Sequence, residues 1–357
     1  MLTALFFLLL VIFISCRPNI RKGMLPNAEY ITHERTSLIN GFFIWIVFSN
    51  HLIQYAPDYT LCDKAVAMLL ARMGQNVVAT FLFFSGYGIM FSLRNKKRYA
   101  NTLVKKRFLS LLLHMTLAVL VFLVVQTMYG KEYDISTVLL ACTGWFSIGN
   151  SNWFIFVTLA CYLIIFLSYV LWHKRGESAV IISTIVLLAV LIYFLRQRGG
   201  WWIDSCMCVP AGMLFFTQRT KIENFIARTG IPVSVFGITL ILFGLISYLT
   251  VFFPIAWLRN ISTVSFGLGV CLLFSCIHLQ RKPRFLCWCG GPALFSLFIF
   301  QRIPMMIGRY EEMNTNYPQI YIFLCIVLTL VLGWLGMKFF YYIDRLIFKN
   351  EKKLSAN

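Results

Sequence analysis

The chain has 357 residues, of which 59% are hydrophobic and 13% charged, and its mean hydropathy is +0.77. Soluble domains carry about 25% charged residues, so a chain this long and apolar cannot close around one water-soluble core, and a multi-pass membrane protein is expected. The net charge of +19 would suit nucleic acid if it were gathered on one soluble face. Here Lys and Arg sit in short loops between apolar runs, the distribution that orients membrane helices, and nucleic acid is set aside.

Eleven spans are expected, at 2–16, 38–56, 73–93, 108–128, 152–172, 178–195, 201–217, 231–252, 261–278, 290–308 and 318–343. The predicted fold is therefore all-α: a polytopic helix bundle of about ten core transmembrane helices plus one N-terminal anchor. In the first run, LTALFFLLLVIFIS, no basic residue precedes the apolar stretch, whereas Arg17, Arg21 and Lys22 follow it. A signal peptide carries its basic residues ahead of the apolar run, so residues 1–35 read as an uncleaved anchor, its N-terminus outside, with a basic cytoplasmic linker. Residues 36–348 form the main transmembrane domain, and 349–357 a basic cytoplasmic tail.

Alternate loops then belong to the cytoplasm. They hold Arg94, Lys96, Lys97, Arg98, Lys105, Lys106 and Arg107, then Lys174 and Arg175, Arg219, Lys221 and Arg228, Arg281, Lys282 and Arg284, and finally Lys349, Lys352 and Lys353. The opposite loops hold Lys64, Arg72, Lys131, Arg196, Arg198, Arg259 and Arg309. The asymmetry puts the C-terminus in the cytoplasm. Most of the eleven cysteines fall inside apolar runs, where a thiol packs as a small hydrophobe. The pairs Cys206/Cys208 and Cys287/Cys289 lack zinc-site spacing and histidine partners, so no metal is expected.

Polar residues inside the spans are the candidates for function. On the expected 38–56 helix His51 lies thirteen residues in, about 20 Å from the cytoplasmic end. Gln301 and Arg302 reach a similar depth on the 290–308 helix, and Asp204 sits in the outer turn of the 201–217 helix. Burying these groups without a polar cavity would leave several unpaired, so a hydrated pocket in the outer half is expected. A structural ion pair of Asp204 with Arg302 is the alternative. His114 is the other histidine inside a span.

Four blocks in order, INGFFIWIVFSNHL (39–52), TFLFFSGYGIMFSL (80–93), SNWFIFVTLACYL (151–163) and FSLFIFQRIPM (295–305), resemble the acyltransferase 3 family. The segment DSCMCVPAGMLFFTQRTKIENFI (204–226) is similar to a further family block. The resemblance implies an integral membrane enzyme that O-acylates extracytoplasmic sugars, with the first-block histidine, here His51, at its centre. Members commonly carry a basic residue eleven positions before that histidine, where this chain has Asn40, and histidine where it has Gln301. Eleven residues at 100° return to within about 20° of the same helix face, so Asn40 shares a corridor with His51. Arg35, sixteen residues before His51, would fall on nearly the opposite face.

Transfer from a cytoplasmic thioester to an outside hydroxyl needs a base that titrates near neutrality, donors for the developing oxyanion, and a path across the layer. His51 suits the base or a transient acyl carrier. Gln301, Arg302 or Asn50 would polarise the carbonyl. Asn40, Asn50, Ser85, Tyr87, Trp153 and Asp204 are the expected substrate- and donor-binding residues, and acyl-CoA, acetyl-CoA foremost, is a co-substrate rather than a bound cofactor. The acceptor would be a glycan or lipid-linked saccharide at a bacterial cytoplasmic membrane. The basic cluster Arg94–Arg107 would hold the donor's phosphates. Ser85, Gly86 and Gly88 suit close backbone approach, to a helix or to a thin ligand. A transporter or flippase, or a relative that binds without catalysing, are the alternatives.

Overall fold

In a computed structural model of the protein, residues 2–15, 18–20, 31–55, 61–96, 99–250, 256–279 and 283–348 are described. The expected basic residues Arg17, Arg21, Lys22, Lys97, Arg98, Arg281 and Lys282, and the tail 349–357, lie outside them. The helices, in chain order, are α1 (Leu2–Ser15), α2 (His33–Ile53), α3 (Leu61–Asn95), α4 (Tyr99–Leu103), a π-helical turn Val104–Leu109, α5 (Ser110–Met128), α6 (Ile135–Cys142), α7 (Trp153–Trp172) and α8 (Glu177–Leu195). There follow α9 (Cys208–Thr229), α10 (Val233–Thr250), α11 (Ala256–Cys276), α12 (Arg284–Gly290), α13 (Leu294–Phe300), α14 (Arg302–Tyr310), α15 (Met313–Asn316) and α16 (Pro318–Phe348). The described chain is an all-α bundle apart from one antiparallel ladder, β1 (Pro18–Ile20) on β2 (Ile277–Leu279).

Among the described residues seven helices are each long and apolar enough to cross a membrane, and two bent pairs qualify together. The protein is thus a multi-pass membrane protein. α1, at 14 residues, is shorter than the ~20 residues a bilayer crossing needs. The 201–217 span is corrected: residues 203–207 are a turn and α9 starts at Cys208. It reaches Thr229, where Gly230 at φ 69° supplies the left-handed cap and Pro232 prevents continuation.

α9 and α10 meet at 107°, and their partners show that they run in opposite senses. The Asn260 side chain, early in α11, accepts from the Met207 N–H at the start of α9 (2.9 Å). Ser262, half a turn further, bonds Ser247 near the end of α10 (2.7 Å). The expected 290–308 span is likewise broken. α12 crosses α2 where Gly41 and Gly290 face each other, and a 68° bend at Gly291–Ala293 separates it from α13 and α14.

Glycine also sets the close contact of α3 with α9. A Cβ on Gly86 of α3 would stand 2.0 Å from the Val209 carbonyl oxygen, and one on Gly212 of α9 would stand 2.0 Å from that of Phe83. The two backbones touch at both points, the small-residue packing open to helices in lipid. Two helix starts carry polar side-chain caps. Thr32 Oγ1 accepts the Arg35 N–H at the start of α2 (3.2 Å), and Asp134 accepts that of Thr137 at α6 (3.1 Å). Hydrogen bonds from Ser136 and Thr137 hold the Asp134 carboxyl down at about 2.

Candidate active site

α2 begins five residues earlier than expected and ends at Ile53, three residues short of the expected end, so His51 lies in its last turn, at the end opposite His33. Its ring meets Phe298 of α13 edge-on, with centroids 6.3 Å apart. The Nδ1 atom is buried and has no hydrogen-bond partner. Beside it, Arg302 donates from Nη2 to Gln54 Oε1 at 3.1 Å, while its Nε is buried and unpartnered. Gln301 occupies the junction of α13 and α14, 1% exposed. Its amide nitrogen donates to the Phe298 carbonyl at 2.8 Å, which leaves the buried Oε1, an acceptor, without a partner. The structure therefore brings His51, Gln301 and Arg302 together around Phe298. The unpartnered atom of Gln301 suits a hydroxyl donor rather than an oxyanion.

Asp204 does not join them. It is 1% exposed and pairs with Arg259 Nη1 at 3.2 Å, while Thr263 donates to its backbone carbonyl at 2.8 Å. Asp204 is thus in an ion pair, but with Arg259 rather than with Arg302 as in the alternative reading, because the turn before α9 packs on α11, the helix that carries Arg259. A buried carboxylate whose cation is removed, or the reverse, costs several kcal/mol. Asp204→Ala should therefore lower unfolding stability by about 3 kcal/mol, read as a fall in the melting temperature of the purified protein in detergent.

A cavity of about 840 Å³ runs between α2, α3, α7 and α13 and starts at the basic end of the bundle, within the size range of small-molecule sites. His33, Lys96, Arg107 and Arg219 line that end. His33, Lys96 and Arg107 are exposed, so the cavity reaches solvent there. The π-helical turn carries Arg107, which lies beside the hydroxyls of Tyr99 and Tyr162. Deeper in, Asn40, Ser85 and Tyr87 line the wall, and Ser85 Oγ donates to Tyr162 at 3.3 Å. Gly88 also faces the cavity, with nothing within 4 Å of where its Cβ would be. Gly86, on the other side of α3, serves helix packing.

The cavity ends on three rings, Phe81, Phe154 and Phe298. Phe81 and Phe154 are 6.2 Å apart, and Phe154 and Phe298 5.3 Å. Phe298 therefore has the cavity on one side and His51 on the other. This cavity lies toward the basic end rather than in the outer half, and His51, Gln301, Arg302 and Asp204 are not among its lining residues. Trp153 is half-buried on Phe154 and is outside the lining too. Asn50 turns to α3, where its Nδ2 lies over Gly74.

The basic cluster divides. Arg94 leaves the cavity for Glu177, to which its Nε donates at 2.6 Å, and for the face of Phe216. Arg35 donates to the Phe274 carbonyl of α11 at 3.4 Å and so does not replace a basic residue at Asn40. His114 bonds Asp344 at 2.9 Å and stacks on Phe340. Ser110 donates to the same carboxylate at 3.3 Å, so serine and histidine converge on the acid rather than on each other, and the order of a catalytic triad is missing.

A family model described as an acyltransferase domain matches residues 38–338. The chain belongs to the acyltransferase 3 family. No curated protein and no solved structure matches it. The matched stretch contains every candidate residue above, from Asn40 to Arg302, and leaves α1 outside. An acyltransferase 3 domain that crosses the membrane several times makes this a membrane acyltransferase, with a lipid bilayer around it and an acyl donor and acceptor as reactants. The residues that reading the sequence alone overlooked are the ring trio and Tyr162. Each looks like ordinary hydrophobic packing along its own helix, and only the meeting of α3, α7 and α13 distinguishes it.

Proposed function

We propose that the protein transfers an acyl group, acetyl foremost, from acyl-CoA entering on the cytoplasmic side to a hydroxyl of an extracytoplasmic glycan or lipid-linked saccharide. The membrane would be the bacterial cytoplasmic membrane, with the C-terminus inside. The observation that carries this reading is the solvent-reaching, cation-lined cavity that ends one phenyl ring short of a buried, unpartnered imidazole nitrogen.

Lys96, Arg107 and Arg219 would take the donor's phosphates as charge-assisted hydrogen bonds. Asn40, Ser85 and Tyr87 would flank the thin pantetheine arm. The acceptor oxygen attacks the thioester carbonyl carbon while His51 accepts the hydroxyl proton. The C–S bond then breaks, the ester forms, and the departing thiolate takes up a proton, returning imidazole to its neutral form. Arg302 Nε–H would stabilise the oxyanion, and Gln301 Oε1 would orient the attacking hydroxyl. Asp204 and Trp153 have no part in this scheme.

The test is the purified chain in lipid nanodiscs with radiolabelled acetyl-CoA and a panel of glycans. Acceptor-dependent transfer of label supports the proposal; movement of substrate with no transfer supports a transporter instead. The donor route has its own check. Gly88→Leu fills open space on a regular helix, so the variant should elute as the wild type does on size exclusion yet bind acyl-CoA at least ~10-fold more weakly, since a side chain now occupies the volume a ligand needs. Unchanged affinity would remove the cavity from the donor's path.

A further inference from the structure

Phe81, Phe154 and Phe298 come from three separate helices, yet their rings meet at the floor of the cavity. Phe298 is 5% exposed and Phe81 8%, so the floor is packed rather than open. Immediately beyond it lie three buried polar atoms with no partner: His51 Nδ1, Gln301 Oε1 and Arg302 Nε. The far side of the ring trio is thus polar.

We infer that this trio is a chain-length filter, and that it restricts the acyl group to a short chain. The inference rests on the reading of the cavity as the donor site. Two independent effects give it. A thioester carbonyl can reach His51 only if its acyl tail goes past Phe298, and every added methylene must displace a packed ring edge, a cost of the kind that makes one methylene worth about 10–200-fold in an apolar site. A tail that does pass would lie against the three unpartnered polar atoms and keep water and the acceptor from them. An acetyl group carries the smallest share of both penalties, because it adds a single methyl beyond the carbonyl.

The test uses the full chain in nanodiscs and measures equilibrium binding of acetyl-, butyryl- and octanoyl-CoA. Wild type should prefer acetyl- over octanoyl-CoA by at least ~10-fold. In Phe298→Ala and Phe154→Ala that ratio should shrink at least ~10-fold, with the affinity for acetyl-CoA less affected. Phe298→Leu, which retains most of the packing, guards against misfolding of the alanine variants and should shrink the ratio in the same direction by less. If wild type binds the three donors equally, or if all variants keep the wild-type ratio, the filter is overturned while the donor site stands. If wild type binds none of them, the donor site itself falls and the filter with it.

Discussion

His51→Gln should abolish acyl transfer, with a loss of ~10³-fold or more, while acyl-CoA affinity stays within about threefold of wild type. Glutamine keeps a polar side chain of similar reach, so the bundle should still assemble, but it cannot accept a proton at neutral pH. Affinity should hold because His51 lies beyond Phe298 and outside the lining of the cavity. The two readouts separate chemistry from binding. Transfer rate in nanodiscs with labelled acetyl-CoA gives the first, and equilibrium dialysis the second. A variant that transfers at more than a tenth of the wild-type rate would remove His51 from the reaction. If rapidly denatured wild-type protein retains label that acid or hydroxylamine releases, and the variant carries none, the imidazole carries the acyl group rather than only the proton.

The second large effect concerns assembly. Gly212→Leu should destabilise the protein by about 4 kcal/mol or more and abolish its monodisperse elution in detergent. The new Cβ would lie 2.0 Å from the Phe83 carbonyl oxygen and 2.9 Å from the Tyr87 nitrogen, both backbone atoms. A backbone cannot rotate out of the way as a side chain can, so α3 and α9 must separate. The separation pulls Ser85 and Tyr87, which belong to the same stretch of α3, off the cavity wall. Gly86→Leu meets the Val209 carbonyl from the other side and should behave alike. Gly88→Leu, two residues on, is the internal control: same helix, same residue change, no neighbour. Thermal unfolding of the three variants orders them. If Gly212→Leu melted with Gly88→Leu, the close crossing would carry no stability.

Where the sequence was informative, a single helix held all the information. α5, α7 and α8 are predominantly apolar and are followed by Tyr129, His173 and Arg196, so composition alone places them within a few residues. The basic end of the bundle is equally local, read from loop charge. Difficulty began where a span is polar or broken. Residues 61–72 continue α3 as good helix formers despite Asp63, Lys64 and Arg72, and the window for apolar runs skips them. The Gly290–Gly291–Pro292 stretch breaks a span that hydropathy reads as continuous. Pairings across helices were beyond reach altogether. Asp204 chose Arg259 over Arg302, and His114 chose Asp344, because of which helices touch. The position of the cavity depends in the same way on rings from α3, α7 and α13.

The π-helical turn at Val104–Leu109 has one residue more per hydrogen-bonded loop than its α-helical neighbours. That surplus sets the phase of what precedes it against all of α5. Excision of a single amino acid here would let the turn relax into regular helix without shortening the apolar stretch that follows. Lys105, Lys106 and Arg107 would swing round by about 100° relative to Leu111, and the guanidinium would exchange the cavity for the bundle's exterior. Bulk charge, hydropathy and orientation in the bilayer would all survive, so two chains indistinguishable by those measures could differ in whether they grip a phosphate.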